Sequence, residues 1–288
     1  MKCQSYRVFS GLLSLLVCLL IDANSTSAQT IPVQPQPFYD QCQSLTEGTS
    51  ADDAVARAIS SLKDKESSVR LQAAQQLSKS CDKRAVEPVT ALLQDQELPV
   101  RLAAIEALGK LGDPNSIRSL NELIDDKEWR IRLALVGSLA SFNNFHARNL
   151  VVNGIANPSG AEITDVDDMR VRCAAILTAN QMKDVAHSRK SILFLYLFLQ
   201  SKHEPIRQIA EQTMFALKNT RNGSRELIAL LKQSHNVEAR RWTAYWLGKL
   251  GIESGREVLT EVADKDPNAR VKEAASEALK TLNGAKGT

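Results

Sequence analysis

The sequence PVRLAAIEALGKLGDP, at residues 99–114, is the clearest copy of a pattern that recurs along the chain. It places a basic residue, Arg101, directly after an aliphatic one and follows the pair with small residues at helical spacing. Successive copies of this phrase lie 31 to 40 residues apart. A period in this range is typical of stacked repeats, none of which can bury its own apolar face. The aliphatic positions of the copies are Val69, Val100, Ile131, Val171, Ile206, Ala239 and Val271.

Each copy predicts a unit of two helices joined by a turn. In the second copy, residues 84–93 carry apolar side chains at helical spacing, Pro99 stands where the next helix begins, and Gly112 stands where it ends. Alanines within the second helix allow a neighbouring helix to approach closely. The sequence therefore predicts an all-α superhelix, a solenoid of about seven helix pairs over residues 51–283.

An acidic residue recurs five positions before the aliphatic position in four of the copies. Such an acid can accept hydrogen bonds from the free N–H groups of the following helix, whose basic residue lies close enough to pair with it. We therefore expect a structural ladder of Asp and basic residues, interrupted where Val166, Ser201 and Ser234 replace the acid. Its predicted members are Asp64, Arg70, Asp95, Arg101, Asp126, Arg132, Asp266 and Lys272.

The first 28 residues are predicted to be a cleaved signal peptide. Lys2 and Arg7 precede an apolar run over residues 9–21, and small residues follow at positions 26–28. The alternative is a membrane anchor, for which the run is short, since a span needs about 20 apolar residues. We therefore expect a periplasmic or secreted protein.

Two segments flank the predicted repeats. Residues 29–50 are rich in Pro and Gln and should form an extended linker or strap, because proline disfavours helix before it. Residues 284–288 are predicted to be a flexible tail.

The chain encodes five cysteines, of which Cys3 and Cys18 leave with the predicted signal peptide. Cys173 stands among alanines of a repeat helix and should be a small buried residue. We expect Cys42 and Cys81 to form a disulfide that holds the N-terminal segment over the open end of the stack. Three free thiols remain the alternative, because connectivity cannot be derived from sequence.

The charge balance argues against nucleic acid as a partner. The chain has 36 basic and 33 acidic residues, whereas a nucleic-acid binder normally carries a basic stripe.

The apolar run at residues 192–199 is too short for a membrane span and predicts a buried helix. We expect a monomer that has no membrane span after signal cleavage.

The sixth repeat carries large aromatic residues where other copies have alanine. These rings either repack the space between helices or turn toward solvent, where Trp and Tyr often anchor partners. Arginines lie beside them and one repeat earlier. We therefore predict a partner-binding patch on the concave face formed by the second helices. The residues are Trp242, Trp246, Tyr245, Arg240 and Arg207, with Trp129 as a further candidate.

The longest step between copies contains an acidic segment, residues 157–168. It is interpreted as a solvated insertion whose acids cap a helix, a partner-contact loop or a weak Ca²⁺ site. The spacing of a calcium loop is absent from this segment.

No H-E-x-x-H, C-x-x-C or Gly-rich phosphate motif occurs in the sequence, so neither catalysis nor a cofactor nor a metal is expected.

The string at residues 99–114 resembles the HEAT repeat, in the short variety shared with phycobilin (PBS) lyase subunits, and the likeness extends over residues 51–283. The resemblance implies an armadillo-type α-solenoid and a non-catalytic scaffold or adaptor in the cell envelope that binds a protein or peptide on its concave face. The alternative is a lyase-like or chaperone subunit that holds a cofactor or apoprotein. The HEAT-type deoxyhypusine hydroxylases bind iron through repeated His-Glu pairs, and this chain has only His203-Glu204.

Overall fold

The predicted all-α repeat fold is confirmed. A computed structural model describes residues 49–142, 144–157, 164–182 and 185–284, and within these ranges every regular element is helical. In chain order the α-helices are α1 (Thr49–Ser61), α2 (Ser67–Leu77), α3 (Val86–Ala91), α4 (Leu98–Leu111), α5 (Ser116–Asn121), α6 (Trp129–Ser141), α7 (Phe145–Asn149), α8 (Val166–Gln181), α9 (Val185–Phe198), α10 (Glu204–Leu217), α11 (Gly223–Gln233), α12 (Val237–Lys249), α13 (Arg256–Lys265) and α14 (Ala269–Gly284).

Within the described ranges these helices alternate along the chain as first and second helices of the repeats, and local sequence sets their ends. Pro99 lies in the first turn of α4, where a missing N–H costs nothing. Gly112 ends that helix with a left-handed φ of 65° and donates its N–H to the Leu108 carbonyl, as predicted. The helix expected at residues 84–93 is shorter, because 3₁₀ turns lie on both sides of α3.

The chain divides into two compact units between Ile155 and Ala156. The first unit holds α1 to α7 and the second holds α8 to α14 among the described residues. The division falls in the fourth repeat, in a π-helical turn at Leu150–Ala156, where the longest step stretches the pattern. The single array predicted over residues 51–283 is therefore described as two units.

Several predicted features lie outside the described residues. These are the signal peptide, the segment up to residue 48 with Cys42, and the tail from residue 285. Cys81 is disulfide-bonded, and its partner also lies outside the described residues, so the pairing with Cys42 stays a prediction. Cys173 is free and buried, and burial raises the pKa of its thiol to about 12. Within the described ranges, no helix combines the length and the apolar character that a membrane span requires.

The core follows the repeat register. The aliphatic position of the second helix is at most 1% exposed in five copies, whereas Val69 of the first described repeat is only half-buried. The leucine eight residues further on is fully buried except in the last repeat. Terminal repeats lack one neighbour, which accounts for both exceptions. The buried residues are Val100, Ile131, Val171, Ile206 and Val271, then Leu77, Leu108, Leu139 and Leu247.

Glycine allows two pairs of second helices to approach closely. A Cβ added at Gly109 of α4 would lie 2.7 Å from Ser138 Oγ and 2.9 Å from Ser138 Cα of α6. A Cβ at Gly248 of α12 would lie 2.6 Å from Ala278 Cα of α14. Distances this short exclude any side chain, so the close packing depends on glycine.

An arginine closes the turn between the two helices in five of the described repeats. Arg101 Nη1 donates to the Asp95 carbonyl at 2.7 Å and to the Gln96 carbonyl at 3.1 Å. Asp95 Oδ1 accepts from the Glu97 N–H at 2.9 Å, just before α4 begins. The guanidinium thus satisfies carbonyls that the end of the first helix leaves open. The same contacts to carbonyls five and six residues earlier are made by Arg70, Arg132 and Arg207.

The predicted ladder exists but connects different residues. Arg70 binds Asp95 of the next repeat through two hydrogen bonds of 2.7 and 2.9 Å, and Arg240 binds Asp266 likewise at 2.7 and 3.1 Å. The expected pairing of Arg70 with the acid of its own repeat was wrong, because main-chain carbonyls already occupy Nη1, and Arg240 was not among the predicted members. Lys272 likewise donates to a carbonyl, at 2.6 Å.

The recurring aspartates accept a different main-chain N–H from the one predicted. Asp64, Asp126 and Asp266 each accept, at 2.8 to 2.9 Å, from the N–H two residues on, which precedes the helix instead of belonging to it. Serine keeps this turn where the acid is missing, because Ser201 Oγ and Ser234 Oγ accept the corresponding N–H at 3.2 Å. The ladder is interrupted there as expected, but the turn is preserved.

Arginine holds the pKa of two ladder carboxylates below the usual range. The hydrogen bonds from Arg240 are the main cause for Asp266, and those from Arg70 are the main cause for Asp95. A lowered folded-state pKa stabilises the fold above the ordinary Asp pKa of about 3.9 and loses this effect as the pH falls toward the folded-state value.

We expect Asp266→Asn to lower the free energy of unfolding by about 2 kcal/mol near neutral pH, because it removes a charged pair while keeping an acceptor for the turn. Asp126→Asn serves as the control, since Asp126 accepts the same turn N–H. Urea unfolding between neutral pH and about pH 3.5 measures both variants. The deficit of Asp266→Asn should shrink as the pH falls. An equal deficit in both variants, or one that does not change with pH, contradicts the ion pair.

Candidate functional site

The candidate site is a cluster of rings on α10 and α12 in the second unit. It consists of Phe215 on α10 with Trp242, Tyr245, Trp246 and Lys249 on α12, and we call it the aromatic surface. The four residues of α12 lie at i, i+3, i+4 and i+7, which places them on one face of that helix. Both helices are second members of their pairs, in the fifth and sixth repeats.

The rings contact one another edge to face. Phe215 and Trp246 have centroids 5.9 Å apart at 85°, Trp246 and Tyr245 5.5 Å apart at 81°, and Tyr245 and Trp242 6.0 Å apart at 90°. Aromatic pairs prefer this geometry, and each contributes about 1 kcal/mol beyond its buried area. The chain of contacts fixes ring orientations across two helices, so the surface is formed without a partner.

Exposure separates the rings into two groups. Phe215 is 48% exposed and Tyr245 is 43% exposed, whereas Trp242 is half-buried and Trp246 is only 1% exposed. Both exposed rings contact Trp246, and exposed large apolar side chains that form one patch mark interaction surfaces more often than isolated ones do. Phe215 and Tyr245 are therefore the residues that a partner can reach.

Two cations lie on the rings. Lys249 Nζ is 4.5 Å from the ring centroid of Trp246, 5.6 Å from that of Tyr245 and 5.8 Å from that of Phe215. The Arg241 guanidinium lies 5.2 Å from the centroid of Trp242. These distances are within the range of cation–π attraction.

Trp246 belongs to the core, which corrects its prediction as a contact residue. Its ring occupies the alanine register between α10 and α12, whose Cα traces stay more than 8 Å apart along nearly their whole length. Other neighbouring second helices of this unit approach more closely. The large ring therefore keeps the two helices apart, and its buried indole N–H has no hydrogen-bond partner among the described residues.

The prediction of Arg240 and Arg207 as partner-contact residues is also corrected, because their side chains close turns of the fold. Arg240 donates to both oxygens of Asp266 and to the Ser234 carbonyl. Arg207 donates to the carbonyls of Ser201 and Lys202 and pairs with Glu204. These contacts use the guanidinium groups for the fold.

Two further predictions concern Trp129 and the acidic segment. Trp129 begins α6 in the first unit, where the Arg130 guanidinium lies 4.9 Å from its ring centroid. In the acidic segment, Asp165 caps α8 by accepting from the N–H groups of Asp167 and Asp168. This favours the interpretation as capping acids for the described part, and residues 158–163 lie outside it.

Sequence reasoning missed Phe215 and Lys249. Phe215 stands nine residues after its repeat's aliphatic position, where Gly109 and Gly248 stand in two other copies. A large ring in a glycine register is a detectable signal of wider helix spacing. Lys249 gave no such signal, because Lys110 holds the same register.

We expect Trp246→Ala to lower the free energy of unfolding by about 4 kcal/mol, because it removes a buried ring and leaves a cavity between α10 and α12. Tyr245→Ala should cost about 1 kcal/mol or less, since its ring is largely at the surface. Urea unfolding followed by circular dichroism compares the two. Similar losses in both variants would show that Trp246 does not separate the helices.

Comparison with known proteins finds a family model that matches part of the repeat region. Residues 55–140 match the family model for HEAT repeats. A comparison with curated proteins finds no match.

Several solved structures are similar at low identity. The complex of CpcE and CpcF of phycocyanin lyase from Nostoc sp. PCC7120 is 18% identical, covers 83% of this chain and 97% of that chain, and has a TM-score of 0.41. Human deoxyhypusine hydroxylase in complex with glycerol is 20% identical, and the alignment covers 97% of this chain and 99% of that chain with a TM-score of 0.30. A designed armadillo repeat protein in complex with the peptide (KR)4 is 16% identical, and the alignment covers 80% of this chain and 99% of that chain with a TM-score of 0.39. The family match identifies residues 55–140 as HEAT repeats, and the described helix pairs continue the repeat pattern to residue 284.

Proposed function

We propose that the chain is a non-catalytic scaffold or adaptor that binds a protein or peptide segment through the aromatic surface. The observation that carries this proposal is the exposure of Phe215 and Tyr245 on second helices of adjacent repeats. Aromatic side chains dominate the energetic centres of protein interfaces. A partner that covers both rings removes apolar area from water, which favours association.

Order in the free protein supports this function. The edge-to-face contacts hold Tyr245 and Phe215 against Trp246, which the core fixes. Side chains that are already ordered lose little conformational entropy when a partner binds. The surface therefore has the rigidity that a binding site needs.

Two ion pairs accompany the rings. Glu211 Oε2 lies 3.7 Å from Lys249 Nζ, and Glu238 Oε2 lies 2.7 Å from Arg241 Nη2. Apolar side chains combined with solvent-accessible polar groups are usual in an interface.

The proposed location is outside the cytoplasm, in the periplasm or secreted. The N-terminal sequence supports it, since a basic start, an apolar run and small residues are typical of a signal peptide. The disulfide at Cys81 is compatible with it, because disulfides persist in oxidising compartments. We propose that the mature chain acts there as a monomer.

The test selects peptide ligands from a displayed random library against residues 29–288 and measures their affinities by fluorescence anisotropy. Phe215→Ala and Tyr245→Ala should each weaken binding about tenfold or more, because each removes an exposed ring at the centre of the site. The matched control is Leu197→Ala on α9, which also removes a 55% exposed apolar side chain of the second unit. This control should stay within about twofold of the parent.

Thermal unfolding shows that each variant is folded before its affinity is compared. Selected peptides that bind all three variants as tightly as the parent would contradict the proposed site. A library that yields no ligand at all would contradict the function.

A further inference from the structure

We propose that the aromatic surface receives a cationic side chain, arginine or lysine, of an extended segment of the partner, and that Lys249 occupies this position in the free protein. This inference rests on the proposed function and adds the chemistry of the ligand. It also assigns Lys249 the role of an internal competitor.

The first observation is that the rings already bind an ammonium group. Lys249 Nζ lies within 6 Å of the centroids of Phe215, Tyr245 and Trp246 at once. Ring faces carry negative electrostatic potential, so three rings around one cation form a site suited to ammonium or guanidinium. The internal lysine therefore displays the chemistry that the site accepts.

The second observation is the register of Lys249. Lys110 holds the same place in the second repeat, where its Nζ pairs with Glu106 one turn earlier at 2.5 Å. In α12 the residue at the Glu106 register is Tyr245, so Lys249 has no acid in that place and lies on the rings. Because Tyr245 stands where the second repeat has Glu106, the lysine at this register contacts rings and not an acid one turn earlier.

The third observation is that Lys249 is loosely held. Its ion pair with Glu211 is 3.7 Å long, and the two side chains are 32% and 51% exposed. An exposed ion pair of this kind contributes little, and an incoming cation would regain the ring contacts that Lys249 gives up, so displacement of Lys249 has a small net cost. Glu211 would then face the incoming cation, and arginine should be favoured over lysine because its guanidinium is more weakly hydrated.

A cationic ligand fits the surrounding charges better than an anionic one. Arg241 already donates through Nε and Nη2 to Glu238, at 3.0 and 2.7 Å. An acidic side chain that approached either cation would meet Glu211 or Glu238 beside it. An incoming cation would instead take the place of the Lys249 ammonium on the rings, with the Glu211 carboxylate beside it.

The experiment uses three displayed peptide libraries that differ only in the central residue, fixed as Arg, Glu or Leu. Each is selected against residues 29–288, and binders are measured on the parent, on Lys249→Met and on Lys280→Met. Methionine keeps the apolar stem over Trp246 and removes the charge. Lys280 is an exposed lysine on α14 and provides the matched control.

We expect the Arg library to give the strongest binders, and Lys249→Met to bind them about fivefold more tightly because the internal competitor is gone. Lys280→Met should leave their affinity unchanged within about twofold. Phe215→Ala should abolish the gain.

Every result that differs from these expectations overturns one named element of the proposal. Binders from the Glu or Leu library that lose affinity with Phe215→Ala would overturn the cationic ligand and leave the proposed function standing. Arginine binders that Lys249→Met weakens or leaves unchanged would overturn the role of Lys249. Failure of all three libraries would overturn both the inference and the proposed function.

Discussion

The arginine that follows the aliphatic position in five of the described repeats supports the architecture of both units. Its Nη1 reaches back to carbonyls at the end of the first helix, which would otherwise lack partners because no residue continues that helix. In Arg70 and Arg240 the rest of the guanidinium binds an Asp of the following repeat. One side chain therefore closes its own turn and joins the next one, with a planar group whose five N–H donors suit several acceptors.

Helix spacing determines where the protein can bind. Gly109 and Gly248 allow neighbouring second helices to touch, and such an interface leaves no room for rings. Between α10 and α12 the same register holds Phe215, and Trp246 replaces an alanine. The wider gap is filled by Trp246 from within, while Phe215 and Tyr245 remain at the surface and bind a cation. The aromatic surface is thus a local departure from the packing that the other repeats share.

The repeat pattern predicted the fold because burial follows the register directly, as Val100 and Leu108 show. It could not predict the partner of Arg70. Linear spacing favours Asp64 in the same turn, but it carries no information on the distance from Arg70 to Asp95 in the turn of the next repeat. Helical periodicity also placed Trp242, Tyr245 and Trp246 on one face, but it does not state the distance to the neighbouring helix. That distance decided that Trp246 is core and Tyr245 is surface. Phe215 was predictable in principle from the glycine register.

The central claim is that a partner binds to the surface formed by α10 and α12. Hydrogen–deuterium exchange of residues 29–288, with and without a selected peptide ligand, tests this. A ligand bound there should slow exchange in Glu204–Leu217 and Val237–Lys249, with little change in α9 or in the first unit. Protection confined to α9, or to helices of the first unit, would contradict it.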